Sequence, residues 1–253
     1  MVNKNISPIL SGKNLTKKFG GLVAVNNVSI EVERLGVTSV IGPNGAGKST
    51  LFNLLSGSFS PDSGNVFLNE ENISNLSPAS RLSRGMARSF QITNLFFDLS
   101  VDDNLMLACQ RLESSKMLVK LNRFSEQAIA RSDELIRDFQ LESKRQELAG
   151  ALSHGEQRRL EIAVTMAMKP ELLMLDEPTQ GMSHSDTIET SNLISELGQK
   201  VTILLIEHDV ELVMNLSKKV VVMALGSKIA EGEPESVRRD PLVQTAYFGE
   251  SLA

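Results

Sequence analysis

One short run of residues constrains the fold of this 253-residue chain more than any other. Residues 42–49 read Gly-Pro-Asn-Gly-Ala-Gly-Lys-Ser and match the pattern G-x-x-x-x-G-K-[ST] in full. An apolar stretch at 37–41 precedes the run, and a helix is predicted from residue 48 to about residue 55. A strand, a glycine-rich turn and a helix start together direct backbone N–H groups and partial positive charge at phosphate oxygens. The pattern predicts a nucleoside triphosphate site rather than a glycine-rich turn that contains a lysine by chance.

The residues of this loop have distinct expected roles. Lys48 is expected to reach the β- and γ-phosphates, and the Ser49 hydroxyl to ligate Mg²⁺. Thr50, one step into the helix, is expected to touch the α-phosphate. The candidate nucleotide-binding residues of the loop are Gly42, Pro43, Asn44, Gly45, Ala46, Gly47, Lys48, Ser49 and Thr50.

In a second segment, an apolar run is followed by two carboxylate residues. Residues 172–178 read Leu-Leu-Met-Leu-Asp-Glu-Pro. Asp176 is expected at the carboxyl edge of a parallel sheet, where α/β folds bind ligands, and would hold Mg²⁺ through water. Glu177 would point elsewhere and either orient the attacking water or take its proton. A charged turn at a strand end is the alternative interpretation, and the phosphate loop in the same chain argues against it.

The rest of the chain predicts an α/β architecture. Short continuous apolar runs at 172–175, 201–206 and 220–224 alternate with helical segments, as parallel strands buried on both faces do. Residues 28–33 alternate apolar and polar side chains, which predicts a sheet with one solvated face. Within 94–150, apolar residues recur at helical spacing. We therefore expect one domain in which 1–93 and 151–253 form the nucleotide-binding core and 94–150 an inserted helical subdomain.

Composition narrows the class of protein. A net charge of −5 disfavours a nucleic-acid binder, which usually carries a basic face. No apolar run reaches the roughly 18–20 residues of a membrane span, and the N-terminus lacks the regions of a signal peptide. The single cysteine, Cys109, excludes an internal disulfide framework, suits a reducing compartment, and is expected to pack in the core. We expect a cytoplasmic protein that reaches a membrane only through a partner.

Residues 152–157, Leu-Ser-His-Gly-Glu-Gln, open an amphipathic helix predicted over 156–168. Ser153 is a favourable N-cap and Glu156 completes a capping box, which is by itself a sufficient structural role. Because the segment follows a helical insertion and precedes Asp176, it also resembles the LSGGQ signature loop of the ATP-binding cassette (ABC) ATPases.

The resemblance to ABC ATPases covers nearly the whole chain. It implies an α/β P-loop NTPase fold with a RecA-like parallel-sheet core, an N-terminal antiparallel β subdomain and an inserted α-helical subdomain. In that family two subunits pair head to tail, and the signature helix of one grips the γ-phosphate held by the other. The resemblance therefore adds Ser153, Gly155 and Glu156 to the candidate nucleotide-binding residues.

Three further positions match motifs of the family. Phe19 matches the aromatic residue that stacks on adenine, and a core phenylalanine is the alternative. Gln91 matches the glutamine that contacts Mg²⁺ and links hydrolysis to the transmembrane partner, and a polar loop residue is the alternative. His208 matches the switch histidine that holds the γ-phosphate and the catalytic carboxylate, and a capping or packing histidine is the alternative. The implied catalytic residues are Glu177, His208, Lys48 and Gln91, and the implied metal ligands are Ser49, Gln91 and Asp176.

The sequence departs from the family pattern at three positions. His154 stands where the signature has its first glycine, and Glu156 replaces its glutamine. Ser183 stands where the loop after Glu177 usually has aspartate. These departures bear on coupling between subunits and not on nucleotide binding.

Segments 85–92, 155–163, 205–209 and 246–250 resemble one branch of the family, the ATPases of branched-chain and other hydrophobic amino-acid uptake. That branch has relatives serving urea, short amides and lipopolysaccharide export. The implied ligands are ATP and Mg²⁺. The implied partners are a second copy or a related ATPase subunit, transmembrane permease subunits and, indirectly, a substrate-binding protein, with no nucleic acid. The implied location is the inner face of the cell membrane.

The contact with the permease is expected around 91–101 and the helical insertion. The apolar side chains there either form a groove for a partner helix or pack inside the subdomain. They are Leu95, Phe96, Phe97 and Leu99.

Two other functions remain as alternatives. A soluble ABC-type ATPase of DNA repair or translation usually fuses two cassettes or carries zinc or coiled-coil insertions, which this sequence lacks. A subunit that senses ATP without hydrolysing it would not need both Glu177 and His208.

Overall fold

The structure is a computed structural model that describes residues 7–89, 95–110 and 124–248. Its strands form two sheets, and helices pack around the larger one. The strands are β1 (Leu10–Phe19), β2 (Leu22–Val32), β3 (Gly36–Ile41), β4 (Ser63–Leu68), β5 (Glu71–Asn72), β6 (Met86–Arg88), β7 (Leu172–Asp176), β8 (Thr202–Ile206), β9 (Lys219–Ala224) and β10 (Ser227–Gly232). The helices are α1 (Lys48–Ser56), α2 (Pro78–Leu82), α3 (Val101–Gln110), α4 (Glu126–Asp138), α5 (His154–Met166), α6 (His184–Gly198), α7 (Val210–Leu216), α8 (Pro234–Arg238) and α9 (Pro241–Phe248), with short 3₁₀ turns at Glu142–Lys144 and Ala149–Ala151.

The smaller sheet is antiparallel, with strand order β2-β1-β4-β5. Strands β1 and β2 form a hairpin in which Leu10 pairs with Val32 and Phe19 pairs with Leu22. Buried and exposed residues mix along both strands, so one face packs on the core and the other meets solvent. The predicted antiparallel β subdomain is confirmed.

The larger sheet has the order β10-β9-β3-β8-β7-β6. Strands β9, β3, β8, β7 and β6 run parallel, and β10 is an antiparallel edge strand. Every residue of β7 and β8 is buried, as their continuous apolar sequences predicted. Because β3, β8 and β7 are neighbours, the loops that follow them lie side by side at the carboxyl edge of the sheet, where α/β folds bind ligands.

Helices α3 and α4 form the described part of the helical insertion. Cys109 is buried there, as predicted. Leu135, Ile136 and Phe139 are buried too, but Ile129 is exposed, so this residue of the predicted apolar stripe was assigned to the wrong face. One continuous apolar cluster joins these helices to α5, α6 and strands β7 and β8. The insertion therefore shares a core with the sheet.

Two features of the structure differ from the sequence prediction. Helix α5 begins at His154 and ends at Met166, about two residues earlier at each end than predicted, because Ser153 is its N-cap. Strand β6 was not predicted, since a run of only three residues carries no periodic signal. Within the described ranges, no helix combines the length and apolar character that crossing a bilayer demands.

Candidate active site

The phosphate loop lies tightly against two neighbouring strands. Gly42 has a φ of +153°, and a Cβ at this position would lie 2.2 Å from the Met223 carbonyl oxygen. Gly47 has a φ of +94°, and a Cβ there would lie 2.3 Å from the Ala24 carbonyl oxygen. Side chains at either position would collide with backbone, so the loop conformation requires glycine at both ends.

Helix α1 begins at Lys48, and no side chain caps its first turn. The N–H groups of a helix start lack partners within the helix, so these donors remain available to an anion. The Lys48 Nζ lies inside the loop and donates to the carbonyl oxygens of Gly42, at 2.7 Å, and Pro43, at 3.1 Å. Burial lowers the pKa of Lys48, and the Glu177 charge opposes that shift. The ammonium is thus buried among oxygens where a phosphate would lie.

An open cavity of about 530 Å³ borders the loop, which is a suitable size for a small-molecule ligand. It brings together most of the residues predicted for the nucleotide site. They are Phe19, Asn44, Gly45, Ala46, Gly47, Lys48, Ser49, Thr50, Glu177 and His208. Gly42 and Pro43, the first residues of the loop, are not among those that line the cavity.

Phe19 lies at the end of β1 and is 45% exposed. Its ring meets the edge of the Phe59 ring, with centroids 5.6 Å apart. The alternative of a core phenylalanine is therefore wrong. Lys17 Nζ lies over the ring at 5.7 Å from its centre. A partly exposed aromatic ring at the rim of the cavity suits base stacking.

Asp176, the last residue of β7, is almost fully buried. Its Oδ2 accepts a hydrogen bond from Arg88 Nη2 at 3.0 Å, while Oδ1 has no hydrogen-bond partner among the described residues. Burial raises the pKa of this carboxyl, and the Arg88 charge lowers it in part. An unpartnered, buried carboxylate oxygen fits a place in a metal's coordination sphere.

Glu177 follows directly, as the first residue after β7. Its φ of +46° is in the left-handed region, an uncommon conformation for glutamate that is typical of functional sites. The backbone N–H donates to the Ile206 carbonyl oxygen, which ties the loop to β8. Glu177 Oε1 lies 2.6 Å from His208 Nε2. This distance suits a hydrogen bond between the two side chains.

Glu207 supports this arrangement, although no motif in the sequence pointed to it. It is buried and accepts hydrogen bonds from the Thr179 N–H, the Thr179 hydroxyl and the His208 N–H. Burial raises the pKa of Glu207, and the bonds from Thr179 oppose that shift. The contact joins the loop after β7 to the loop after β8. The sequence feature that could have identified Glu207 is its position as a carboxylate directly after an apolar strand.

The signature segment is capped within its own helix. Ser153 Oγ accepts from the Glu156 N–H at 3.3 Å, and Glu156 Oε2 accepts from the Ser153 N–H at 2.9 Å. The predicted capping box is therefore present. Ser153, Gly155 and Glu156 do not line the cavity at the phosphate loop of the same chain. The predicted contact of these residues with nucleotide stays a prediction.

Gln91 lies outside the described residues. Of the apolar residues after it, Leu95 is buried whereas Phe96 and Phe97 are exposed, so the patch is divided between packing and solvent. Leu95 also lines a mostly apolar groove between α2, β6 and α5, together with Leu82, Met86, Val164 and Met168.

The described residues fit a magnesium ion. Mg²⁺ prefers oxygen ligands and usually keeps several waters. The exposed Ser49 hydroxyl and the unpartnered Asp176 Oδ1 supply such oxygens. Together with the loop and the Glu177–His208 pair, the arrangement has the parts needed to hold a triphosphate and direct a water at it.

Comparison with known proteins agrees with this geometry. The family model described as ABC transporter matches residues 25–180. The chain belongs to this family. A second model, described as branched-chain amino acid ATP-binding cassette transporter, matches residues 227–253 of this ABC cassette. Members of the family bind and hydrolyse ATP.

Curated relatives align with the cassette over almost its whole length. The high-affinity branched-chain amino acid transport ATP-binding proteins BraF of Pseudomonas aeruginosa and LivG of Escherichia coli are each 41% identical, covering 96% of this chain and 99% of the relative. The lipopolysaccharide export system ATP-binding protein LptB of Escherichia coli is 33% identical, with 96% and 98% coverage. The crystal structure of the ADP conformation of MJ1267, an ATP-binding cassette of an ABC transporter, superposes with a TM-score of 0.84 at 32% identity, covering 96% of this chain and 99% of that one. The predicted fold class and family are confirmed.

Proposed function

We propose that this cassette hydrolyses ATP, with Mg²⁺, to drive import of branched-chain or other hydrophobic amino acids or related small solutes such as urea and amides. The observation that carries the proposal of hydrolysis is that one cavity joins the phosphate loop to Glu177 and His208. Support for the transported solute comes from the relatives named for branched-chain amino acid transport and from the match of the C-terminal segment.

The phosphate loop binds the triphosphate in this mechanism. Backbone N–H groups of residues 47–50 and the Lys48 ammonium neutralise the β- and γ-phosphates, and Phe19 stacks on the base. Bound Mg²⁺ would supply further neutralisation of phosphate charge, with Ser49, Asp176 and Gln91 as the residues that hold it.

Glu177 and His208 act on the attacking water and the γ-phosphate. The Glu177 carboxylate orients the water or accepts its proton. His208 Nε2 lies 2.6 Å from Glu177 Oε1, and its single N–H is shared between that carboxylate and a γ-phosphate oxygen when ATP is bound. A histidine shared between the carboxylate and the phosphate keeps both in a fixed relation during hydrolysis.

Two cassettes are proposed to close around ATP, as a homodimer or with a related subunit. The start of α5 offers the Ser153 hydroxyl, backbone N–H groups and the positive end of a helix dipole to the γ-phosphate of the partner's nucleotide. Because the start of α5 does not line the cavity at this chain's own phosphate loop, we propose that it contacts the nucleotide of the partner instead.

Transmembrane permease subunits are the proposed membrane partners, at the inner face of the cell membrane, with a substrate-binding protein acting through them. The groove between α2, β6 and α5 supports this contact because its lining is mostly apolar and open to a partner helix. The exposed Phe96 and Phe97 extend the apolar surface nearby.

Lipopolysaccharide export is the second candidate, favoured by the similarity to LptB.

The test of hydrolysis is the substitution Glu177→Gln. We expect ATP affinity to be retained and turnover to fall by about 10²–10⁴-fold, because the variant loses the group that acts on water. The variant should also persist as an ATP-bound dimer. Phosphate release and size-exclusion chromatography with and without ATP measure the two effects.

Glu196→Gln is the matched control, since Glu196 is an exposed carboxylate on α6. It should hydrolyse and dimerise like the unmodified chain. A Glu177→Gln variant that hydrolyses ATP at the unmodified rate would contradict the role assigned to Glu177.

The test of the transported solute is purification of the cassette with its partners. From detergent-solubilised membranes it should co-purify with multi-span subunits, and their binding protein loaded with leucine should stimulate ATP hydrolysis in reconstituted vesicles. Stimulation by lipopolysaccharide instead would favour the second candidate, and co-purification with nucleic acid alone would contradict a transport role.

A further inference from the structure

Arg88, the last residue of β6, contacts both Asp176 and the helix that carries Ser49. Its Nη2 donates to Asp176 Oδ2 at 3.0 Å. Its Nη1 contacts three oxygens near the end of α1: Asn53 Oδ1 at 2.7 Å, Ser56 Oγ at 2.8 Å and Ser58 Oγ at 3.1 Å. One guanidinium therefore joins the strand that ends in Asp176 to the helix that begins at Lys48.

The position of the guanidinium is well constrained. Its carbon lies 4.8 Å from the centre of the Phe52 ring, and most of the side chain is buried. A planar guanidinium that stacks on an aromatic ring and donates in fixed directions loses little freedom when it holds a carboxylate. Lysine offers a single ammonium and cannot reproduce this geometry.

The pairing leaves the two oxygens of Asp176 unequal. Oδ2 is held by Arg88, whereas Oδ1 is buried without a partner among the described residues. Because a carboxylate is planar, fixing one oxygen and its plane also fixes the other. Oδ1 is thus kept in one orientation.

We propose that Arg88 is a positioning residue for Mg²⁺: it holds Asp176 so that Oδ1 remains available to the metal's water, and it fixes α1, which carries Ser49, relative to Asp176. The inference rests on the proposed function, in which Ser49 and Asp176 contribute to the metal site. Partners that orient a metal-binding group typically change metal affinity by about 10–100-fold when they are removed.

The test measures metal binding and nucleotide binding separately on the full chain. In Arg88→Met we expect Mn²⁺ affinity, measured by electron paramagnetic resonance with a non-hydrolysable ATP analogue, to fall by about 10–100-fold. Binding of a fluorescent ATP analogue in EDTA should be unchanged, because the phosphate loop is intact. Arg88→Lys keeps the positive charge but lacks the planar set of N–H donors, and it should give an intermediate loss of Mn²⁺ affinity.

Arg84→Met is the matched control, because Arg84 pairs with the exposed Glu71 near the same strand. It should leave Mn²⁺ affinity unchanged. Thermal unfolding checks the fold of each variant, and Arg88→Lys decides the matter if Arg88→Met does not fold. A folded Arg88 variant with unmodified Mn²⁺ affinity overturns the inference.

Asp176→Asn separates this inference from the proposed function. If Asp176→Asn lowers Mn²⁺ affinity while the Arg88 variants do not, only the role of Arg88 fails. If Asp176→Asn also leaves Mn²⁺ affinity unchanged, the assignment of Asp176 to the metal site fails with it.

Discussion

Glu207 shows how a single buried carboxylate organises the site around it. Its three hydrogen bonds connect Thr179, two residues after Glu177, with the backbone of His208. The two side chains that approach each other at 2.6 Å, on Glu177 and His208, are therefore carried by loops that are themselves joined. Such support from a buried neighbour keeps reacting groups within a narrow range of positions.

Glu207 also makes stability depend on pH in a defined direction. Burial raises its pKa in the folded state above the ordinary value of 4.5. The folded state therefore binds the proton more tightly than the unfolded state does. The stability that this protonation of Glu207 contributes is fully present below about pH 4.5 and is lost as the pH rises through the pKa of Glu207 in the folded state.

We predict that, as the pH rises above about 4.5, the unfolding free energy of the unmodified chain will fall relative to that of Glu207→Gln. Glutamine does not titrate, and other groups cancel in the difference. Urea unfolding from about pH 4 to about pH 7 measures it. A difference that is constant with pH, or that favours the unmodified chain at higher pH, would show that Glu207 titrates normally or is stabilised as an anion.

Helix α5 has two roles at its N-terminus, one observed and one proposed. The capping box between Ser153 and Glu156 stabilises the helix start within the chain. The same helix start is proposed to contact nucleotide in a second protomer. The two roles predict different consequences for one substitution.

Ser153→Ala should lose about 1 kcal/mol of unfolding free energy because its hydroxyl caps the helix. It should also weaken ATP-induced dimerisation of Glu177→Gln. Ser125→Ala is the matched control, since Ser125 caps α4 by accepting from the Ala128 N–H. Ser125→Ala should lose similar stability while the dimer remains. Urea unfolding and size-exclusion chromatography measure the two effects. Equal dimerisation in both variants would leave Ser153 with only its capping role.

At the level of the whole chain, the helical insertion and the sheet share one apolar core. Phe139, at the end of α4, belongs to the same apolar cluster as Leu160 on α5, Leu173 on β7 and Leu205 on β8. Residues in one close-packed core respond together when a member is removed.

Phe139→Ala should cost about 3–5 kcal/mol, because it removes a buried ring and leaves a cavity. Ile129→Ala, on the exposed face of the same helix, should cost much less. Native-state hydrogen exchange should show amides of β7 and β8 losing protection along with those of α3 and α4. Faster exchange confined to α3 and α4 would show that the insertion unfolds independently of the sheet.

Features that depend on local pattern could be predicted from the amino-acid sequence. The glycine-rich run between an apolar strand and a helix identified the phosphate loop, since only glycine permits the backbone found at Gly42 and Gly47. The apolar runs of β7 and β8 indicated a buried parallel sheet, and the Ser153–Glu156 spacing indicated a helix start. Each of these signals lies within a few consecutive residues.

Which distant residues meet could be learned only from the folded chain. Nothing within residues 86–88 indicates that Arg88 pairs with Asp176, and the strand of Arg88 is too short to carry a pattern. The same holds for Glu207 with Thr179, and for Phe19, which could be assigned to the rim of a cavity rather than to the core only from its exposure. Periodicity reports which face of an element is buried. Which side chain lies opposite depends on the order and register in which the strands assemble.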